Sequence, residues 1–540
     1  MDRTAVSDAS GTSGARPSWR LKAPHDARTQ ALVVSGFAGL PTGRALFLRF
    51  GWDGVVGGDW LRALRAVAPI TGADGRQPRA AALSFSFSGL KKMPLADSTY
   101  ASFSRAFREG MFQEDRARRL GDRTDGVWHD TVIRGGPRWS ANVAAGAAAT
   151  AAPVAAFSVA PTDTAPPPIT TELTVHAVLL LYTTDEATGE AWAAEVERAL
   201  APHRIDIVHR LPLELDLDPQ GIGREHFGFA DGLSQPIPYD SAPASDDCLV
   251  LSDGTPATRD KWNGVPLGDI LIGHPGSHNE VSPGPVVPAE TVADPAILPL
   301  HPRGEGFLDL GVDGSYMVVR ELRQDVAAFW QSMHDSAARV RLRDPSASDH
   351  VDAEWLAERV IGRDRDGHLL CPLGKLKADE FGQPQNQFGF LGNDADGTGC
   401  PPGSHVRRAN PRDALAPNAK MAQTMLDSAN AHRILRRGRK FGPKVKQEHE
   451  DDGVDRGLLF ICLNADIARQ FEFIQQTWLL NPNFATLFDE TDPLLGAKGQ
   501  MTVRDVPLRR RVDVATFVRM AGGDYFFLPS IPALDYLTAL

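Results

Sequence analysis

Cysteine is scarce in this 540-residue chain: Cys248, Cys371, Cys400 and Cys462 stand far apart and make no C-x-x-C pair. That cysteine spacing indicates neither a zinc site nor a disulfide framework, and the lack of C-x-x-C-H argues against a covalently attached c-type haem. Long hydrophobic runs are missing too. The richest candidate, Val143 to Val159, is dominated by Ala and Gly and broken by Pro153, so no membrane span is expected. Positive charge is in deficit, with 57 Lys and Arg against 68 Asp and Glu and a formal net charge of −11. Phosphate binding demands clustered positive charge, so this balance argues against a nucleic-acid partner; the basic stretch Arg433 to Lys446 is a local exception. Residues 1–20 have neither a basic segment leading into an apolar one nor a twin-arginine pair, so no export signal is read and a soluble, cytoplasmic protein is expected. The absence of H-E-x-x-H and of a compact His-Asp cluster in the sequence argues against a metal-dependent hydrolase.

What is present centres on Glu225-His226-Phe227-Gly228-Phe229-Ala230-Asp231-Gly232-Leu233-Ser234-Gln235-Pro236. One acid, Asp231, lies between two glycines that permit tight turns and close approach of a ligand, while Phe227, Phe229 and Leu233 supply dry surroundings able to tune it for proton transfer. The plain alternative is a solvated Asp in a surface turn. A second polar constellation, Gly403-Ser404-His405-Val406-Arg407-Arg408-Ala409-Asn410-Pro411-Arg412, is followed by His432-Arg433-Ile434-Leu435-Arg436-Arg437-Gly438.

The Gly-x-x-Asp-Gly element, the His-x-x-x-x-Asn-Pro-Arg element and the Ile-Leu-Arg element, in this order, resemble a haem-dependent dye-decolourising peroxidase. Three further runs are similar to the family: Gly314 to Leu322, Arg456 to Asn464 and Gly522 to Pro529, so that the likeness spans Glu225 to Pro529. It implies a peroxidase that reduces hydrogen peroxide by heterolysis and oxidises dyes, phenols or other one-electron donors, using one noncovalent haem b per chain. It implies His405 as the axial ligand of the haem iron, its identity resting on its place five residues before Asn410-Pro411-Arg412. Asp231 is implied as the distal acid-base group and Arg436 as the distal cation, with Arg437 as its rival. Gly228, Phe229, Ala230, Gly232, Arg412, Leu458 and Phe460 are expected around the cofactor. Leu458 and Phe460, two apart on a strand, share a face; Arg412 is equally suited to holding its own turn. Trp330, Tyr316, Trp478 and Tyr525 are chemically able to relay electrons from the surface, although aromatic residues in apolar runs more often pack cores. The carboxylate behind His405 cannot be named from sequence. The alternative function is a haem-binding or iron-releasing protein with incidental peroxidase activity, which would need only His405.

Size predicts two domains, or two fused subdomains with long insertions. Residues 1–28 read as disordered, 29–235 as an N-terminal domain with an insertion at about 138–171, and 236–540 as a C-terminal, haem-binding domain. Strands are expected at Ala31 to Ser35, Arg44 to Phe50, Ala82 to Ser88, Leu173 to Tyr182, Ile205 to Val208, Tyr316 to Glu321, Leu458 to Leu463 and Tyr525 to Leu528. Helices are expected at Trp60 to Val67, Ser98 to Phe107, Glu190 to Ala201, Asp325 to Met333 and Asp466 to Trp478. The alternation suggests two sheets with helices on one face, and the resemblance implies an α+β fold of two ferredoxin-like domains, antiparallel sheets with peripheral helices, with haem between them.

Overall fold

Apolar runs such as Ala80–Phe85 and Ala177–Thr183 are buried at every position, whereas Ile205–Glu214 alternates and keeps part of one face exposed, and eight strands of both kinds form a closed sheet in the computed structural model. The structure describes residues 19–75, 78–141, 171–219, 221–239, 249–251, 260–302, 304, 306–371 and 384–540. The eight strands are β1 (Thr42–Phe50), β2 (Ala80–Phe85), β3 (Ala177–Thr183), β4 (Ile205–Glu214), β5 (Ser315–Gln324), β6 (Arg439–Phe441), β7 (Gly457–Asn464) and β8 (Val518–Leu528). Their hydrogen-bonded order is β5-β7-β6-β4-β1-β3-β2-β8, every neighbouring pair is antiparallel, and β8 pairs with β5 to close the circuit.

Within this circuit β1 to β4 and β5 to β8 repeat one pattern, the fourth strand lying beside the first, then the third, then the second. The halves meet at two narrow seams, Lys440 opposite Glu214 and Phe527 opposite Phe85. Where the sequence suggests two sheets, these seams make one, because each half's edge groups find partners in the other half. Helix α1 (Asp59–Val67) buries Trp60, Leu61 and Leu64 and helix α2 (Glu186–Leu200) buries Trp192, Val196 and Leu200, both against the first half. In the second half, α3 (Val326–Arg343) and α4 (Ala353–Ile361) begin at Asp325 and Asp352, whose carboxylates accept the Ala328 and Trp355 N–H groups. No helix among the described residues is long and apolar enough to cross a membrane.

Several expectations are corrected. Ala31 to Ser35 is a turn rather than a strand: Ala31, Leu32 and Val33 are buried, but the Leu32 and Val33 carbonyls accept from Arg437 instead of from a strand. Ala82 to Ser88 is not half-buried, since every residue of β2 is covered and Ser86 instead caps a short helix, Phe87–Leu90. Ser98 to Phe107 splits into Asp97–Ser102 and Arg105–Glu109, because Ser104 starts the second helix by accepting from Phe107 N–H. Of the segment read as disordered, Trp19–Leu21 pairs with Leu249–Leu251 and His25–Arg28 is helical; residues 1–18 lie outside the described residues, as do 142–170 of the expected insertion. Asp466 to Trp478 is helical but widened, with π-helical turns at Ala468–Glu472 and Ile474–Leu479.

Strand β8 is anchored by Asp524, fully buried, which accepts from Met111 N–H, Ser140 Oγ–H and Ala141 N–H. Asp524→Ala leaves these donors orphaned, each costing about 1–3 kcal/mol. The expected outcome is a clearly lower urea midpoint, and an unchanged midpoint would show that the carboxylate holds nothing together.

Candidate active site

A cavity of about 280 Å³ opens beside β5, β7 and β8, and it gathers residues from segments remote in the chain. Asp231 ends the short strand Ala230–Asp231, paired with Gly223–Arg224, and the turn before it depends on Gly228 at φ 98° and Gly232 after it at φ 78°. Glu225 shapes the turn by accepting the Phe227 and Phe229 N–H groups. Burial pushes this carboxyl up to about 7 against those hydrogen bonds.

Asp231 Oδ1 lies 2.8 Å from Arg436 Nη1, and the Arg436 backbone is fixed by its N–H donating to Gln235 Oε1 at 3.0 Å. Arg436 belongs to Leu435–Arg436, a strand fragment on β7, so it comes from the sheet wall. Burial favours the neutral acid at Asp231, but Arg436 and the Gly232 N–H outweigh it and hold the carboxyl below its ordinary value.

His405 opens the helix His405–Ala409, which packs against the widened helix Ile474–Leu479. Its Nδ1 is 2.9 Å from the fully buried carboxylate of Asp492, which leaves Nε2 as the nitrogen available to a ligand. Burial disfavours charge on the ring, yet Asp492 prevails and the His405 value is raised; Asp492 is correspondingly lowered. Asp492 also accepts the Leu494 and Leu495 N–H groups, so the ring is oriented by a carboxylate that is itself fixed.

The other expected residues are placed unevenly. Phe229, Ala230, Gly232, Arg412, Leu458 and Phe460 line the cavity. Gly228 does not: a Cβ there would stand 2.7 Å from Arg365 Nη1, so its missing side chain makes room for a guanidinium rather than for a cofactor. Arg412 lines the wall while holding Phe388 O and Asn386 Oδ1, so it supports the loop as well as the cavity. Arg437 is turned away, bonded to Leu32 and Val33 carbonyls rather than to a carboxylate. Trp330, Tyr316, Trp478 and Tyr525 are all buried, so none is a surface relay.

Sequence reasoning reaches Arg412 but neither Arg363 and Arg433 on the wall nor Asp492 behind it. Asp492 carries no local signature, and only the fold brings it to His405. Arg363, Arg412 and Arg433 are buried on the wall, and their hydrogen bonds among the described residues go to neutral oxygens, those of Gly367, Gln385, Asn386, Phe388, Trp262, Asn263 and Ser234. Burial pushes Arg363 and Arg433 down to about 10. A second acid–base pair, Arg320 with Asp122, also faces the cavity. The haem implied by the sequence fits this donor set: an imidazole nitrogen for iron, apolar walls such as Phe229, Leu458 and Phe460 for the ring, and buried guanidinium groups for carboxylates.

No family model matches the chain. It is 29% identical over 388 residues to the multifunctional dye peroxidase DyP2 of Amycolatopsis sp., covering 67% of this chain and 71% of that one. It is 27% identical over 411 residues to a dye-decolorizing peroxidase of Mycena epipterygia, covering 68% of this chain and 66% of the relative. This chain is a homologue of the dye-decolourising peroxidases. Solved structures agree in fold: a DyP-type peroxidase of Anabaena sp. superimposes with a TM-score of 0.65 at 21% identity, over 95% of this chain and 94% of that one. A dye-decolorizing peroxidase in complex with 2,6-dimethoxyphenol gives 0.63 at 23%, over 96% and 100%.

Asp492→Ala removes the carboxylate that raises His405 through a direct hydrogen bond, leaving burial less opposed. The His405 titration, followed by NMR in cofactor-free protein, should then move below the wild-type value; a value that stays put would mean that Asp492 does not govern the ring.

Proposed function

We propose that this chain is a haem-dependent peroxidase that reduces hydrogen peroxide and draws single electrons from dyes, phenols or similar aromatic donors. The observation that carries this reading is the convergence on one cavity of a carboxylate-backed histidine and a carboxylate–guanidinium pair, in a homologue of dye-decolourising peroxidases. We assign one noncovalent haem b per chain, which His405 Nε2 would hold through its iron and Arg363, Arg412 and Arg433 through its carboxylates. Phe229, Ala230, Gly232, Leu458 and Phe460 supply apolar contact. We assign the two sheet halves to two ferredoxin-like units, within 29–235 and 236–540, on the strand order they share.

The haem, when bound, supplies the iron that takes up peroxide and holds its oxidising equivalents. Asp231 takes the proton from the nearer peroxide oxygen and returns it to the departing one, a transfer that needs a carboxylate ionised at rest. The lowered value at Asp231 meets that need and suits work in acid. Arg436, fixed by its bond to Asp231 and by Gln235, stabilises the charge that gathers on the separating oxygen. Asp492 keeps the His405 ring oriented and its ligating nitrogen electron-rich. Haem binding alone would need only His405, so the Asp231–Arg436 pair favours catalysis over haem handling.

His405→Ala is expected to lose the haem absorption band. Asp231→Asn and Arg436→Leu are expected to keep it and to slow the spectral change on adding peroxide, by roughly 10²–10⁴-fold and 10²–10³-fold respectively. Stopped-flow absorption checks all three; full rates in both distal variants, or iron release from wild type without peroxide turnover, would defeat the reading.

The pH response has a definite sign. Arg436 lowers Asp231, so the acid limb of the wild-type rate profile lies below the ordinary carboxylate value, and rates fall as Asp231 protonates. In Arg436→Leu burial acts with one opponent fewer, and the residual activity should lose its acid limb at a higher pH. An acid limb at the wild-type position in this variant would detach Asp231 from the proton transfer.

A further inference from the structure

Away from the cavity, three side chains far apart in sequence converge: His25 on the short helix His25–Arg28, His274, and Asp313 in the turn that leads into β5. Asp313 Oδ1 stands 2.8 Å from His25 Nδ1 and 2.8 Å from His274 Nε2, and the three candidate ligand atoms all lie within 4.8 Å of one another. The Asp313 side chain is fully buried, and its second oxygen, Oδ2, has no hydrogen-bond partner. The nearest cation is Arg28, whose Nη1 is 3.7 Å from that oxygen on a side chain that is 40% exposed.

As a hydrogen-bond network this arrangement is incomplete. One carboxylate oxygen serves two imidazoles while the other accepts no hydrogen bond and has only the distant Arg28 guanidinium, and buried acceptors are ordinarily satisfied. As a donor set it is coherent: two imidazole nitrogens and a carboxylate oxygen suit a borderline divalent cation such as zinc. We propose that His25, His274 and Asp313 bind a divalent transition-metal ion of the zinc class, outside the active-site cavity, with water completing the coordination. The imidazoles are 23% and 16% exposed, so a position toward solvent is open for that water. Zinc with ligands at about 2.0–2.1 Å holds them roughly 3.3 Å apart, and the two rings reach that spacing by closing on the order of 1 Å.

The consequence is mechanical. The residues just after His25 are built into the body of the protein: the Thr29 hydroxyl donates to Asp313 O, and the Gln30 amide donates to Leu83 O on β2 and to Pro529 O after β8. An ion held by His25, His274 and Asp313 clamps this entering segment to the turn before β5, a strand that supplies Arg320, Leu322 and Gln324 to the cavity. The ion is structural, and the inference does not depend on the proposed peroxidase activity.

The test uses tag-free holoenzyme, stripped with a chelator and dialysed against zinc alone, with bound metal counted by mass spectrometry and its surroundings read by zinc K-edge absorption. One zinc per chain is expected in wild type, with imidazole nitrogen and oxygen neighbours, together with a rise in melting temperature over the stripped protein. His25→Ala and His274→Ala should each lose that zinc and that rise while keeping the haem absorption band, which reports that they have folded. Absence of zinc from wild type, a shell without imidazole, or undiminished zinc in both variants would overturn the proposal.

Discussion

Charge in a dry cavity has to be answered by charge or by hydrogen bonds, and that constraint organises this protein. Asp231 is answered by Arg436, His405 by Asp492 and Asp122 by Arg320, each pair joining segments that are distant in the chain. In the first two pairs the partner sets the charge: Arg436 holds Asp231 below its ordinary value, and the buried Asp492 raises His405 while accepting from one of its nitrogens. Arg363, Arg412 and Arg433 break the pattern, since among the described residues neutral oxygens hold them in place of a directly bonded carboxylate.

The closed sheet makes such pairing precise enough to matter. β7 carries Leu458 and Phe460 on the face turned to the cavity while Leu459 and Ile461 pack into the core behind, so the wall and its support are one strand. Arg436 is registered on that same strand opposite Cys462, which fixes the guanidinium relative to the two apolar side chains. His405 comes from the other kind of wall, a short helix set against a π-helical segment that itself contributes Ile474, Gln475 and Leu479. A widened helix at this place shifts side chains toward the cavity that a regular helix would aim elsewhere.

Much of this was legible in the sequence where the signal is local. The glycines around Asp231 announce a turn, the spacing of His405 from Asn410-Pro411-Arg412 marks a segment similar to a known family, and the alternation along β7 predicts which side chains share a face. The readings that failed are those in which a local pattern was overruled by packing. Ala31 to Ser35 has strand composition, yet its carbonyls are claimed by Arg437; Ser84 and Ser86 alternate with apolar residues as if solvated, yet both are buried and hydrogen-bonded inside. Gly228 was read as room for a ligand, and the room is taken by Arg365.

The sequence by itself determined the residue types needed for the chemistry, the turns that present Asp231, and the order of strands and helices, because each depends on neighbours within a few positions. Tertiary structure alone decided which carboxylate stands behind His405, which arginines face the cavity, that two half-sheets become one, and that His25, His274 and Asp313 meet. Those are contacts across tens to hundreds of residues, and nothing in local composition records which distant segment will supply the other half of a pair.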